Sequence, residues 1–483
     1  MKCKDTFDVN LNEGDQSIML TVKQSSDRSH GTSALSALIA QSAHVLTGSE
    51  SDYDPLMDLI GDARFVLLGE ASHGTHEFYR ERALITQRLI AEKGFTAVAV
   101  EADWPDAYRV NRYVRHTLNT GGFYTDSDAR QSLAGFKRFP AWMWRNKDVV
   151  DFVEWLRGYN DSLLSPMSKV GFYGLDLYSM FTSIEEVLHY LDKVDPAEAR
   201  RARGRYACFD HYNKESQHYG YAAGLGLSAS CEKEVVKQLK DLNAHAADYV
   251  KNDGGDAVDA LFYAQQNARL VMHAEEYYRS MYKGHVSSWN LRDRHMTETL
   301  DALAKHLSEK NSEDQPAKIV VWAHNSHIGD ARATEVGQLG EWNVGQLTRE
   351  RYGKEAVLIG FSTYEGTVTA ASDWDAPAER KRVRPALIGS FEAALHDSGV
   401  GNFMLPLDKE NPLTKALSGR RLERAIGVIY RPETERQSHY FFSHVPQQFD
   451  AVVHFDRTRA VEPLEIASMW HTGEAPETFP VGV

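Results

Sequence analysis

Arg64-Phe65-Val66-Leu67-Leu68-Gly69-Glu70-Ala71-Ser72-His73-Gly74-Thr75-His76-Glu77-Phe78-Tyr79-Arg80 is the stretch whose reading decides the fold. Residues 65–68 are continuously apolar, too short for a helix and without polar alternation, which is the pattern of a strand buried on both faces. Gly69 ends the run. A carboxylate, a hydroxyl and an imidazole (Glu70, Ser72, His73) then arrive within four residues. Glu77 opens a helical pattern with Phe78, Ala83, Leu84, Leu89 and Ile90 on its apolar side. In open α/β sheets ligands bind beyond the carboxyl ends of the strands, so this turn is where chemistry is expected.

The same arrangement recurs along the chain. Residues 95–100 read as a second strand, introduced by Gly94, which suits a helix C-cap, and closed by Glu101-Ala102-Asp103-Trp104-Pro105, where Pro105 fits the first turn of a helix. Strand, helix and strand at this spacing predict a right-handed parallel βαβ unit. A third strand at 169–175 ends at Asp176, and a fourth at 318–322 ends at Ala323-His324-Asn325-Ser326-His327. Shorter strand signals lie at 357–361, 368–370, 425–430 and 451–455, and residues 182–307 are helical in periodicity almost throughout. The fold class expected is α/β, with a mostly parallel central sheet flanked by helices and a helical insertion over the carboxyl ends of the strands. The expected division is a flexible arm at 1–32, an α/β domain in two parts at 33–180 and 311–483, and the insertion at 181–310.

Bulk properties narrow the function classes. A chain of 483 residues exceeds the size at which one core stops growing, which favours one large domain with an insertion or two domains. The formal charge of −14 disfavours nucleic acid as a partner, because phosphate neutralisation needs clustered Lys and Arg. The one basic run, Arg380-Lys381-Arg382-Val383-Arg384, reads as a solvated loop, with a substrate-facing loop as the alternative. Cys3, Cys208 and Cys231 are widely spaced and show neither a disulfide framework nor zinc spacing. Residues 1–12 lack the apolar core of a signal peptide, and no apolar run approaches about 18 residues, the length of a membrane span. A cytoplasmic location, a small-molecule substrate and no membrane partner are expected.

Four predicted strand ends carry polar groups: Glu70 with His73, Glu101 with Asp103, Asp176 alone, and His324 with His327. Each has an ordinary structural explanation by itself, since Asp103 or Asp176 can cap a helix and His327 can be a satisfied core imidazole. Together they point to one cleft, because charge is costly to bury at random.

The segments Gly69-Glu70-Ala71-Ser72-His73-Gly74-Thr75-His76-Glu77-Phe78, Val100-Glu101-Ala102-Asp103-Trp104, Trp289-Asn290-Leu291-Arg292-Asp293 and Trp322-Ala323-His324-Asn325-Ser326-His327 together resemble the erythromycin esterase family, its succinoglycan-biosynthesis-like members included. That family contains macrolide esterases that open the lactone ring with water, and many members whose substrate is not established. The resemblance implies a hydrolytic pocket in which His73 is the general base, Glu70 and Glu101 orient it or the water, and His324 and His327 line the reacting carbonyl.

Side-chain chemistry is compatible with these roles. A neutral imidazole can take a proton from water while a carboxylate fixes its tautomer. The carbonyl oxygen then needs donors, from a histidine, an arginine or backbone N–H groups at the turn. Arg80 and Arg82 cannot share a helix face, and Arg82 is the one expected to look toward the cleft, leaving Arg80 to pair with Glu77 or Glu81. The chain has no Gly-x-Ser-x-Gly, so Ser72 as nucleophile is the lesser reading. Glu70-x-x-His73 and His324-x-x-His327 have metal-ligand types, but both follow strands rather than lying on bundle helices, so no metal and no cofactor are expected. A metal-dependent hydrolase of another bond and a non-catalytic small-molecule or metal binder are the alternatives. Asp103, Trp104, Asp176, Tyr178, Arg292 and His439 are the candidate substrate-binding residues, and Phe123, Tyr124, Trp142, Trp144 and Trp289 could join Trp104 and Tyr178 in paving an apolar pocket. Arg292-Asp293-Arg294 otherwise reads as a structural ion pair.

Overall fold

The apolar run at 65–68 forms a strand whose alternate side chains enter two different cores, which is why it shows no polar alternation. Phe65 and Leu67 pack toward one layer and Val66 and Leu68 toward the other. The computed structural model describes residues 26–116, 126–138, 140–212, 215–253, 257–281, 285–310, 315–408 and 411–465. The arm expected at the amino terminus falls outside these up to residue 25, and a helix, Ser26–Ser42, follows.

The strands among the described residues are β1 (His44–Val45), β2 (Phe65–Leu68), β3 (Ala97–Asp103), β4 (Gly171–Asp176), β5 (Ile319–Trp322), β6 (Ala356–Ala370), β7 (Glu379–Val383), β8 (Phe403–Pro406), β9 (Arg421–Arg424), β10 (Tyr440–Ser443) and β11 (Ala451–Thr458). The main sheet runs β1-β8-β11-β6-β2-β5-β3-β4, with β7 paired to β6, and β9 and β10 form a separate ribbon. From β11 to β4 every neighbour is parallel, and β8, β1 and β7 add antiparallel pairings. The fold is α/β with a mostly parallel sheet flanked by helices, as the periodicities predict.

The expected βαβ unit is interrupted. β2 and β3 are parallel and joined by the helix His76–Lys93, but β5 lies between them. Leu68 and Val100 both stand opposite Trp322, so Glu101 of β3 follows at the level where β2 and β5 end. The chain between β4 and β5 is a set of helices from Met180–Val194 to His285–Lys310, and its last two long members pack on each other and against β4 and the neighbouring helices.

Several expectations change. The strand signals at 357–361 and 368–370 belong to one continuous strand, β6. The basic run at 380–384 is not a solvated loop, because 380–383 lie in β7, where Lys381 and Val383 turn inward and Arg380 and Arg382 outward. Residues 425–430 are not a strand: Gly427 breaks the run, and the segment makes single bridges, Ser72 to Ile426 and Ala371 to Ile429, as it crosses the turn after β2. Leu84, expected on the buried helix face, is exposed. Cys208 and Cys231 are joined by a disulfide with Cα atoms 6.1 Å apart, a pairing that their spacing does not announce. Among the described residues no helix is long and apolar enough to cross a membrane.

Two glycines let the β2 turn form. A Cβ on Gly69 would lie 2.1 Å from Asn325 Oδ1, and one on Gly74 would lie 1.8 Å from the Thr369 carbonyl oxygen. Gly74→Ala therefore forces backbone to move, at a cost of about 1–3 kcal/mol, and should lower the thermal midpoint by about 1–3 °C. Gly158→Ala, in the helix Lys147–Ser162 with nothing within 4 Å of the new Cβ, should instead gain about 0.5–1 kcal/mol. Thermal denaturation of the two variants tests this, and a Gly74→Ala protein as stable as wild type contradicts the close approach.

Candidate active site

Because Leu68, Trp322 and Val100 stand at one level of the sheet, the residues that follow them converge. Glu70 and His73 leave β2, Glu101 and Asp103 lie at the end of β3, Asp176 at the end of β4, and His324 and His327 follow β5. All but Glu70 line a cleft of 1240 Å³; Glu70 is buried behind His73 and outside the lining. The other walls come from the helical segment (Tyr277, Tyr278, Trp289, Arg292), from residues 425–429, and from the β9–β10 connection with His439.

Glu70 and His73 form a dyad. His73 Nδ1 is 2.9 Å from Glu70 Oε1, and Arg82 Nη2 donates to Glu70 Oε2 at 2.8 Å. The carboxylate therefore takes the hydrogen of Nδ1 and leaves the Nε2 lone pair of neutral His73 free. Arg82 is fully buried behind the dyad, with its guanidinium over the rings of Tyr79 and Trp322 at 4.6 and 5.1 Å. It is absent from the cleft lining, so it holds Glu70 rather than facing a substrate. Arg80 pairs with Glu81 at the surface.

His324 has a different partner and hence a different tautomer. Its Nδ1 accepts from the backbone N–H of Ser326 at 3.2 Å and lies 2.8 Å from Ser326 Oγ, so the ring hydrogen of the neutral form resides on Nε2, which has no hydrogen-bond partner. Burial, and next the adjacent His73, push His324 down to about 3, while the Ala71 carbonyl opposes the drop without meeting hydrogen-bond geometry. The rings of His73 and His324 are 4.8 Å apart.

Behind them lies a buried charge network. Glu101 accepts from the His324 backbone N–H at 2.8 Å through Oε2, and from Arg292 Nη2 at 2.8 Å through Oε1. Arg292 also grips Asp176 with two bonds of 3.0 and 2.6 Å. Burial alone would raise the Glu101 carboxyl, but His327 and then Arg292 hold it well below the usual carboxylate range. His327 directs Nδ1 to Asp293 at 2.8 Å, lies flat against Trp289 and has Nε2 3.4 Å from Glu101. Burial disfavours its charge, yet Asp293 and Glu101 outweigh that and raise it to about 9. Arg292 Nη1, 3.0 Å from Nε2, is satisfied by the neutral ring and gives way to Glu101 in the protonated one.

Other candidates divide. Tyr178 lines the cleft between the guanidiniums of Arg138 and Arg292, 4.7 and 5.0 Å from its ring. Trp144 and Trp289 also line it, whereas Trp142 does not. Trp104 is not in the cleft: it is buried among Tyr108, Tyr173, Phe262 and Tyr263, because its position at the helix start turns the indole toward the helical layer. His439 reaches the cleft, but its Nε2 accepts from the Arg431 backbone, and burial pushes it down to about 4. Ser72 is buried, bonded to the Thr75 hydroxyl and outside the lining. Phe123 and Tyr124 lie outside the described residues. Sequence reasoning missed Asp293 as the partner of His327, although it stands beside Arg292, and missed Arg138 and Asp106, for which no motif gave a signal.

Both oxygens of Glu70 are engaged by His73 and Arg82, and both ring nitrogens of His327 by protein groups, so Glu70-x-x-His73 and His324-x-x-His327 do not present a shared ligand set. Among the described residues no three His, Cys, Asp or Glu side chains converge as a metal site.

The Erythromycin esterase family matches residues 90–458, from inside the helix after the His73 turn to the end of β11. The chain belongs to this family. An erythromycin esterase type II of Escherichia coli is 23% identical over 438 residues, covering 86% of this chain and 90% of that one. A putative hydrolase of Bacillus subtilis is 24% identical, covering 74% and 77%. Among solved structures, a Bacillus cereus protein superposes with a TM-score of 0.70 at 22% identity, covering 90% of this chain and 99% of that one. A mutant of an erythromycin esterase in its open conformation superposes at 0.63 with 16% identity, covering 86% and 96%. Family membership and these relatives support a hydrolase of the esterase type.

The buried histidines give stability a pH dependence of definite sign. His324 and His439 bind protons in the unfolded chain below their ordinary value of 6.5 but resist them when folded, so stability present above that pH is lost as pH falls toward 3 to 4. His327 acts oppositely: its contribution is complete below 6.5 and is lost as pH rises through about 9. Urea midpoints should therefore fall on both sides of neutrality, the decline beginning already near pH 6, above the carboxylate range. His439→Asn should flatten the acid limb, and an unchanged acid limb contradicts the assignment.

Proposed function

We propose that the protein is a hydrolase in which His73 activates water to cleave an ester or lactone in a bulky small molecule. The observation that carries this reading is the unlike orientation of two neighbouring imidazoles: His73 offers a lone pair at Nε2, and His324 offers a hydrogen at Nε2. Water attacking a carbonyl carbon gives its proton to His73 Nε2, and Glu70, held by Arg82, stabilises the imidazolium that forms. The carbonyl oxygen takes up negative charge as the C–O bond forms, and in this reading the unpartnered His324 Nε2–H shares it. When the tetrahedral intermediate collapses, the departing alkoxide recovers the proton from His73. Glu101 acts through its neighbours, fixing the His324 backbone and the Arg292 side chain.

The cleft volume of 1240 Å³ is above the usual range of about 300–1,000 Å³ for small-molecule sites, which favours a bulky substrate. The names of the relatives agree with ester hydrolysis, and the printed substrate of the Escherichia coli relative makes macrolides the first compounds to try. A small-molecule substrate, no metal and a cytoplasmic place of action complete the reading.

The test is a panel of macrolides and simple aryl esters assayed with the wild type, His73→Asn and Ser72→Ala, before and after exhaustive chelation. His73→Asn should lose about a hundredfold or more in kcat, while Ser72→Ala and the chelated enzyme keep most of their rate. Turnover that survives His73→Asn removes the base assignment, and loss on chelation that one metal restores moves the reaction to a metal-dependent class.

A further inference from the structure

The charge lining the cleft is lopsided. Six carboxylic side chains face it, against two arginines and the His327 imidazolium. Glu101 and Asp176 are spent on Arg292. Asp103 and Asp106 share the remaining guanidinium, that of Arg138, which is half-exposed and reaches Asp103 Oδ2 at 3.0 Å through Nε.

Asp103 is the unusual member. It occupies the N-cap position of the helix Trp104–Arg115, where an aspartate side chain ordinarily bonds the first turn, yet it makes no capping hydrogen bond. Its side chain is 92% buried (8% exposed), it lines the cleft, and Oδ1 has no hydrogen-bond partner, the Tyr178 backbone N–H acting on the carboxyl without meeting hydrogen-bond geometry. A buried carboxylate oxygen without a donor is costly and marks a place where a group is missing. Asp106 stands one helical turn on. The Tyr278 ring lines the same cleft within electrostatic reach of Asp103 and offers a face on which a cation is favoured, whereas Tyr178 is already engaged by Arg138 and Arg292.

We propose that this end of the cleft is a subsite for a cationic group of the substrate, a protonated amine seated against Asp103 Oδ1 and the Asp106 carboxyl, so that the preferred substrates are amine-bearing esters. The inference rests on the hydrolase reading for the word ester, and on the cleft alone for the word amine. Burial, then Asp103, push Asp106 up to about 8, against Arg138, Arg109 and Lys137, which pull it down. At neutral pH Asp106 keeps its proton in the empty cleft. An arriving ammonium reverses the balance, and the proton leaves to solvent as the cation binds.

Two measurements test the subsite separately from the chemistry. The first compares three nitrophenyl esters of matched chain length that end in a methyl, an ammonium or a carboxylate group. The ammonium ester should have the highest kcat/KM, by about tenfold over the methyl ester, and Asp103→Asn and Asp106→Asn should each reduce that ratio severalfold. The second is calorimetry with hexylammonium chloride, which should bind with proton release at pH 7, seen as a heat that depends on the buffer, and about tenfold more weakly to either variant. If the methyl ester is cleaved but the ammonium ester is not preferred and hexylammonium does not bind, the subsite is wrong and the hydrolase stands. If hexylammonium binds in the aspartate-dependent way and no ester is cleaved, the hydrolase reading is wrong and the subsite stands. Preference for the carboxylate ester overturns the proposal in favour of an anion held by Arg138, and an ammonium preference that survives both substitutions overturns it as well.

Discussion

The site exists because β5 pairs on both edges with strands that belong to the other end of the chain. β2 and β3 are separated by one helix in sequence, and they would pair with each other if nothing intervened. Instead the chain leaves β4, builds the helical segment, and returns to place Ile319–Trp322 between them. The register, with Trp322 opposite both Leu68 and Val100, fixes the height at which Gly69, Ala323 and Glu101 follow. His324 thus stands between His73 and Glu101, and a one-residue slip would send the β5 side chains to the opposite faces of the sheet. Asn325 locks the level by exchanging two hydrogen bonds with the Phe361 backbone of β6, and Gly69 leaves the space that its amide occupies.

That placement brings charge into the interior, and the interior must be compensated. Glu101, Asp176 and Asp293 face Arg292 and His327 in a network closed to water on most sides. Each buried ion costs several kcal/mol of lost hydration, which Coulomb attraction offsets only with close geometry and satisfied donors. Here the geometry is close: Arg292 bonds Asp176 and Glu101 together, and Asp293 accepts from His327 and from the Val344 backbone. Because Arg292 and Asp293 lie on the helix His285–Lys310, this network also pins the helical segment to the strand ends. The wall of the cleft is therefore fastened by the same ions that line its floor.

The parts of this arrangement legible in the sequence are those written as local pattern. Apolar runs of four to seven residues ending in Glu, Asp or His announced β2, β3, β4 and β5, together with the groups that meet beyond them. The order of the strands was not legible, since nothing local in Ile319–Trp322 says which neighbours it takes. β7 was hidden because its alternation is carried by Arg, Lys and Arg, and buried Lys381 looks in sequence like any surface lysine. The apolar residues 425–430 misled in the other direction: Ile426 and Tyr430 pack with Val368, Ala370 and Val383 in a small core, while 425 and 427–429 line the cleft, so their apolar character does not come from pairing in a sheet. Trp104 was drawn to the site by its neighbours Glu101 and Asp103, but a helix begins at that residue and rotates its side chain into the core.

The chemistry depends on a finer distinction than proximity. Two neutral imidazoles side by side are interchangeable until something decides where each ring hydrogen sits, and here the decision is made at Nδ1 in both cases. A carboxylate at Nδ1 must receive a hydrogen, so His73 becomes an acceptor at Nε2. A backbone N–H at Nδ1 must give one, so His324 becomes a donor at Nε2. Glu70 is itself fixed by Arg82, and the Ser326 N–H is fixed by the short helix Asn325–Ile328 that His324 caps. The two ring tautomers are thus set by backbone and carboxylate contacts, so that in the proposed mechanism base and donor need no rearrangement during reaction. In that same proposal the low value of His324 fits, because a histidine that took up a proton there would confront the imidazolium formed at His73.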